Sequence, residues 1–343
     1  MSAIPEEATP VSPAVVGQPS LAQRFFRPRT LISFVVGLGI LAFSLSRLQI
    51  DVGETFQTIR SANWLLLVAA LLVYYTTFPI RATRWRGMLE NAGCDRRSLP
   101  GVWGLAEIIY LSWFANSVVP AKLGDVYRAY LLRARSNVSF SKAGGTIVAE
   151  RLIDLAVLLV LLGVSGLLAF HGTLPSSVLT VMEIGCAAVL AAGVALLAMR
   201  RLDSFVRRLI PTRFQRIYHH FHEGTLGSFG GYPQLLGLTI LAWAAESGRL
   251  FLVLQSVGLT LSPNLLIQFL MAVFIALAAA FLTAPPGTPA GLGYVEAGLV
   301  LALTILGASH SVALSVALLD RAISVGSLIV GGFIVYILSH RHA

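Results

Sequence analysis

The chain has 343 residues, of which 56% are hydrophobic and only 12% charged, with a formal net charge of +9. An ordinary soluble domain carries about a quarter charged residues, so this composition argues against a water-soluble globular class. The basic surplus flanks apolar runs, as cytoplasmic membrane flanks do, and no nucleic-acid-binding motif accompanies it, so no nucleic-acid partner is expected.

In chain order, residues 1–23 are rich in Pro and Ser and lack an apolar block. They read as a disordered tail, not a signal peptide. Arg24, Arg27 and Arg29 precede a first span at 30–46 and place the N-terminus in the cytoplasm. The link 47–62 balances Arg47 and Arg60 with Asp51 and Glu54 and reads as outside. A second span, 63–80, leads to a basic link with Arg81, Arg84, Arg86, Arg96 and Arg97. Arg81 and Arg84 are expected at the interface, where contact with lipid phosphate is a hypothesis. Spans at 143–171 and 177–199 enter the basic link 200–233, which must be inside, so residues 136–142 are inside too. The run 101–119 must therefore turn near Pro120 and return through 121–135, as a re-entrant hairpin or two broken helices. Spans at 234–257 and 264–284 follow, then a Pro/Gly break at 285–293, then runs at 294–309 and 312–338. Arg341 ends the chain inside.

A short string occurs twice. Residues 120–129 read PAKLGDVYRA and residues 289–298 read PAGLGYVEAG, 169 positions apart. Glu150-Arg151 and Asp320-Arg321 repeat at an offset of 170. The predicted fold is an all-α polytopic membrane protein of two inverted-topology repeats, 24–172 and 173–343. It has broken or re-entrant helices and about 8–10 membrane segments, and the link 200–233 falls in the second repeat.

Ions at membrane depth are costly, so each needs a reason. Asn116, Lys122, Asp125 and Arg128 surround the break at Pro120 and Gly124. A broken helix exposes backbone groups beside charged side chains, which suits an anionic headgroup or a coupling ion. The alternative is that Asp125 and Arg128, at i,i+3, neutralise each other. Glu150 and Asp154, at i,i+4, could let one carboxyl hold a proton beside Arg151, or could form a salt-bridged helix end. Glu246 and Arg249 interrupt an apolar run, to pair locally or to face Asp125 and Arg128. The segment from Pro286 and Gly287 through Pro289, Gly291 and Gly293 forbids a regular helix, which restarts near Glu296. Asp320 and Arg321 are expected on the same cavity. His219, His220 and His222 read as part of an interfacial amphipathic helix, because i, i+1, i+3 is poor metal-ligand spacing. Cys94 and Cys186 point to no disulfide framework. No metal, cofactor or hydrolase motif is found, so none is expected.

NSVVPAKLGDVYR at 116–128, ERLID at 150–154 and TPAGLGYVE at 288–296 resemble the flippase-like family, also called the lysylphosphatidylglycerol synthase transmembrane region. The resemblance covers about residues 25–340. The family pattern has Pro-Gly-Gly where this chain has Pro289-Ala290-Gly291. In well-known members this region is fused to a cytoplasmic aminoacyl-transferase domain and is thought to move the modified lipid between leaflets. With the chain ending at residue 343, the resemblance implies translocation without synthesis, not an enzyme. The implied partners are membrane lipids, either a phospholipid or a polyprenyl-phosphate lipid. A homo-oligomer and a separate lipid-modifying enzyme are left open.

The reading is a multi-pass plasma-membrane lipid translocator with both termini cytoplasmic. Arg128, Arg151, Arg249 and Arg321, with Lys122, would hold a lipid phosphate, while Asp125, Glu150, Glu246 and Glu296 balance charge or carry a proton. The rivals are an ion-coupled transporter of a small solute and an intramembrane enzyme acting on a lipid phosphate.

Overall fold

The computed structural model describes residues 50–118, 123–170, 176–283 and 288–341, together with Val35 and Gly39. The tail 1–23, the first span apart from Val35 and Gly39, and the positions Pro120, Lys122, Pro286 and Gly287 fall outside the described residues. Within them the protein is all α, and six helical segments are long and apolar enough to cross a membrane. It is a multi-pass α-helical membrane protein.

Side-chain caps mark the helix starts. Asp51 caps α1 (Val52–Ser61) by accepting from the Gly53 and Glu54 N–H groups. This helix was not legible in the link 47–62. It packs on the last long helix through Thr55, whose carbonyl accepts from the Ser315 hydroxyl at 3.1 Å. Asn63 caps α2 (Trp64–Asn91), which runs eleven residues past the predicted end of its span. Two short helices, α3 (Val102–Val118) and α4 (Leu123–Arg135), pack on each other where the hairpin was expected. At 1.5 Å per residue they reach only ~26 and ~20 Å, short of the ~30 Å bilayer core. Gly124 is not itself a break, because it lies in the first turn of α4. There its N–H donates to Asn116 Oδ1 at 2.8 Å. A Cβ at Gly124 would collide with the Ser112 carbonyl, so glycine is what lets α4 lie against α3.

Ser139 caps α5 (Phe140–Ala169), and α6 (Ser176–Arg201) follows. On α6, Ile184 and Leu190 are largely exposed, as lipid-facing side chains are. The basic link holds two helices, α7 (Asp203–Leu209) and α8 (Thr212–Gly227). The α8 backbone meets that of α5, because a Cβ on Gly224 would overlap the Lys142 carbonyl and one on Gly145 the Phe221 carbonyl. Beside this contact Lys142 Nζ lies 3.0 Å from Glu223. Hydrogen bonding to Lys142 holds the Glu223 carboxyl below its ordinary pKa.

Then come α9 (Tyr232–Ser256), α10 (Leu265–Leu282), a 3-10 turn (Pro289–Gly291) and α11 (Tyr294–Ile305). The predicted Pro/Gly break is real where described, with Ala290, Gly291 and Gly293 at φ 50°, 71° and 89°. Ala290 carries a side chain at a left-handed position, at a cost of roughly 1–2 kcal/mol. The chain ends in α12 (His310–Arg321), a π turn (Ala322–Gly326) and α13 (Ser327–Arg341). Helices α2 and α9 pack along each other at the centre of the molecule.

Candidate functional site

The charged residues at membrane depth are joined, helix to helix, by ion pairs. On α2, Phe78, Ala82, Trp85 and Leu89 form a buried stripe that continues past Arg81 and Arg84. Both arginines are therefore carried inward: Arg81 is 3% exposed and Arg84 1%. This corrects the interfacial placement expected for them. Arg84 Nη1 donates to Asp154 Oδ1 at 2.5 Å and to Thr239 Oγ1 at 2.7 Å, and Arg84 Nη2 to Glu150 Oε1 at 2.8 Å. Arg81 Nη2 donates to Glu246 Oε1 at 2.8 Å, and its Nη1 lies 3.4 Å from Asp154. Arg128 completes the chain, 2.8 Å from Glu150 Oε2 and 3.8 Å over the Trp85 ring. Six side chains from four helices thus alternate as Glu246, Arg81, Asp154, Arg84, Glu150 and Arg128.

Three separate pairs accompany this chain. Arg151 binds Asp125 through Nε and Nη2, at 3.2 and 2.7 Å. Arg249 pairs with Asp320. Arg321 Nε donates to Glu296 Oε1 at 2.7 Å, and its Nη2 donates to the Ala290 carbonyl at 2.6 Å. Glu296 also accepts from the Gly293 N–H at 2.7 Å, so it ties the start of α11 to α12.

These partnerships correct the local pairings. Asp125 does not pair with Arg128, nor Glu246 with Arg249; each finds a partner on another helix. Nor do Glu150 and Asp154 stand together as an isolated carboxyl pair, since arginines on α2 and α4 stand against both.

A cavity of about 330 Å³ opens inside this network. Of the residues singled out in the sequence, it is lined by Asn116, Arg151, Asp154, Glu246, Arg249, Asp320, Arg321, and Gly291 of the break. Arg128, Glu150, Asp125 and Glu296 are not on its wall; Asp125 and Glu296 hold the lining residues Arg151 and Arg321, while Glu150 and Arg128 continue the ion chain beyond Arg84. The sequence reading missed Arg81 and the aromatic wall of Tyr74, Trp113 and Trp243. Arg81 sits between the two indoles, 5.1 Å from the Trp113 centroid and 5.4 Å from that of Trp243. The buried Trp243 Nε1, Arg81 Nε and Arg249 Nε have no acceptor among the described residues. The signal for Arg81 was the stripe 78, 82, 85, 89, which keeps a helical period beyond the supposed end of the span.

The cavity lies deep in the helices. Glu246 is fourteen residues into α9 and Asp320 ten into α12, or ~21 and ~15 Å from their starts. No group of three metal-ligating side chains occurs among the described residues. His219 lies 3.2 Å from Glu223, and His222 faces the Met199 carbonyl at 3.2 Å.

A family model described as the lysylphosphatidylglycerol synthase TM region matches residues 30–332. A UPF0104 membrane protein of Methanocaldococcus jannaschii is 34% identical over 230 residues, 67% of this chain and 95% of that protein. A glycosyltransferase named AglD, of Haloferax volcanii, is 29% identical across 89% of this chain, which spans 54% of that relative. A UPF0104 membrane protein of Pyrococcus horikoshii is 24% identical over 79% of this chain and 86% of its own length. The family named in that match is a lipid-related membrane family, and the chain belongs to the lysylphosphatidylglycerol synthase transmembrane-region family.

Proposed function

We propose that this protein moves a phosphate-bearing lipid between leaflets, passing the headgroup through the central cavity while the acyl chains stay in the bilayer. The observation that carries this reading is a mid-depth cavity faced by Arg81, Arg151, Arg249 and Arg321. Guanidinium groups bind phosphate oxygens with charge-assisted hydrogen bonds, and they are kept at membrane depth only for a reason. The volume, about 330 Å³, falls at the small end of ligand sites, suited to a headgroup and too small for a whole lipid. The family's name ties the region to lipid synthesis; in this reading the chain translocates and does not catalyse. The lipid would be a phospholipid or a polyprenyl-phosphate lipid of the plasma membrane.

The proposal includes two inverted repeats. Helices α2 to α5 and α9 to α12 follow the same order, their first residues offset by 163 to 171 positions. The pairs Asp125–Arg151 and Glu296–Arg321 occupy matching places, as do Glu150–Arg84 and Asp320–Arg249. This favours a cavity made between two related units, with both termini cytoplasmic. A single cysteine introduced into 200–233 should react with a membrane-impermeant reagent only in opened cells. Reaction in intact cells would reverse the topology.

An anionic phospholipid carrying a photoreactive headgroup tests the site. Crosslinks should map to peptides 232–256 and 310–335, and Arg249→Lys should reduce them. Crosslinks confined to the surface helix α8 would remove the cavity from the account.

A further inference from the structure

We propose that Glu246 takes up one proton when a phosphodiester monoanion enters the cavity and releases it when the anion leaves. This rests on the translocation reading and adds what accompanies the headgroup. The first observation is charge balance. Among the described residues, those joined by ion pairs around the cavity are six arginines and six carboxylates, and each connected group is neutral by itself. A bound monoanion therefore leaves this network one negative charge in excess at membrane depth, where such excess is costly. One carboxylate becoming neutral removes it.

The second observation selects which one. Asp320 is the carboxylate partner of Arg249, so its neutralisation would leave a buried guanidinium uncompensated. Asp125 and Glu296 stand in the same relation to Arg151 and Arg321. Asp154 lies between two arginines, 81 and 84, and Glu150 between Arg84 and Arg128. Glu246 differs from all of these. Among the described residues its ion-pair partner is Arg81, and Arg81 retains Asp154 when Glu246 is neutral. Its side chain is also 18% exposed and lines the cavity, so water and a proton can reach it.

The surroundings of Glu246 bear on its titration from every packed element. From α2 come Arg81, Arg84 and Tyr74; from α5, Asp154 and Arg151; from α12, Asp320 and Arg321. Arg249 shares α9, and α10 has no ionisable residue along its length. The step forms one O–H bond at a Glu246 carboxylate oxygen with a proton from water and changes no other covalent bond.

The test uses the full chain in neutral detergent, titrated with dihexanoyl phosphatidylglycerol by calorimetry in buffers of different protonation enthalpy. About one proton should be taken up per headgroup bound, and affinity should weaken about tenfold per pH unit where Glu246 is ionised in the free protein. Glu246→Gln should bind with no uptake and a flat pH profile, while Glu223→Gln, on α8 and outside the network, keeps the uptake. Anion binding without proton uptake in the parent protein overturns the proposal, and that count needs no variant to fold. So does uptake that persists in Glu246→Gln or is lost in Glu223→Gln. Glycerophosphoglycerol, the same headgroup without acyl chains, is run in parallel. If it binds equally well with one proton, the coupling stands and the lipid reading gives way to a soluble solute. Failure of both compounds to bind at any pH overturns the coupling and the lipid reading together.

Discussion

Arg128→Ala is expected to destabilise the protein by about 3–5 kcal/mol, the usual cost of removing one partner from a buried ion pair. Arg128 is 1% exposed, lies 2.8 Å from Glu150 and stacks at 3.8 Å on Trp85. Its removal leaves Glu150 sharing Arg84 with Asp154, one negative charge in excess among buried side chains. It also opens a void beside Trp85, which Thr146 fixes through its hydroxyl at 3.0 Å. The sequence alone assigned Arg128 to the lipid phosphate, which would make its loss a loss of binding and not of stability. The structure reverses that expectation. The purified variant should melt well below the parent and move lipid while it remains folded. An unchanged melting point with lost transport would return Arg128 to the binding site.

Arg151→Ala should do the opposite. Arg151 lines the cavity and its partner Asp125 keeps a side chain 22% exposed, so water can solvate the carboxylate left behind. An accessible pair of this kind contributes about 0–1 kcal/mol to stability. A charge-assisted bond to a phosphate oxygen is worth roughly 1.5–3 kcal/mol, so transport should fall about ten- to a hundredfold. Arg151→Lys should recover only part of the rate, because lysine keeps the charge and loses the planar fork. Thermal melting and leaflet-resolved transport on the same preparations check both halves. A large stability loss with normal transport would make Arg151 a structural residue.

The spans and their interruptions were legible because hydropathy and Pro/Gly chemistry act locally. Charge counting required 101–135 to be interrupted, and two short helices, α3 and α4, pack on each other there. The break before Glu296 followed from its prolines and glycines, and Ala290, Gly291 and Gly293 take left-handed angles there. The partners of the ions were not legible. Local i,i+3 spacing proposed Asp125 with Arg128 and Glu246 with Arg249, but the bonds formed run from Asp125 to Arg151 and from Arg81 to Glu246. Partner choice depends on which helix faces arrive together, and that is tertiary information. Arg81 and Arg84 were misplaced because hydropathy ends a span at its first arginines, while the stripe through Trp85 and Leu89 carries the helix onward into the core. Helix α1 was missed because its sequence, VGETFQTIRS, reads as a polar link; what holds it is docking on Ser311 and Ser315.

The central claim is that the cavity passes a lipid headgroup across the membrane. Its most direct test is leaflet-resolved movement of a fluorescent phosphatidylglycerol in vesicles reconstituted with the purified chain, against protein-free vesicles. The account predicts that the inner-leaflet probe becomes accessible in proportion to the protein per vesicle and that Arg151→Ala slows this about ten- to a hundredfold. Probe movement no faster than in protein-free vesicles, with a folded and correctly inserted protein, would contradict it.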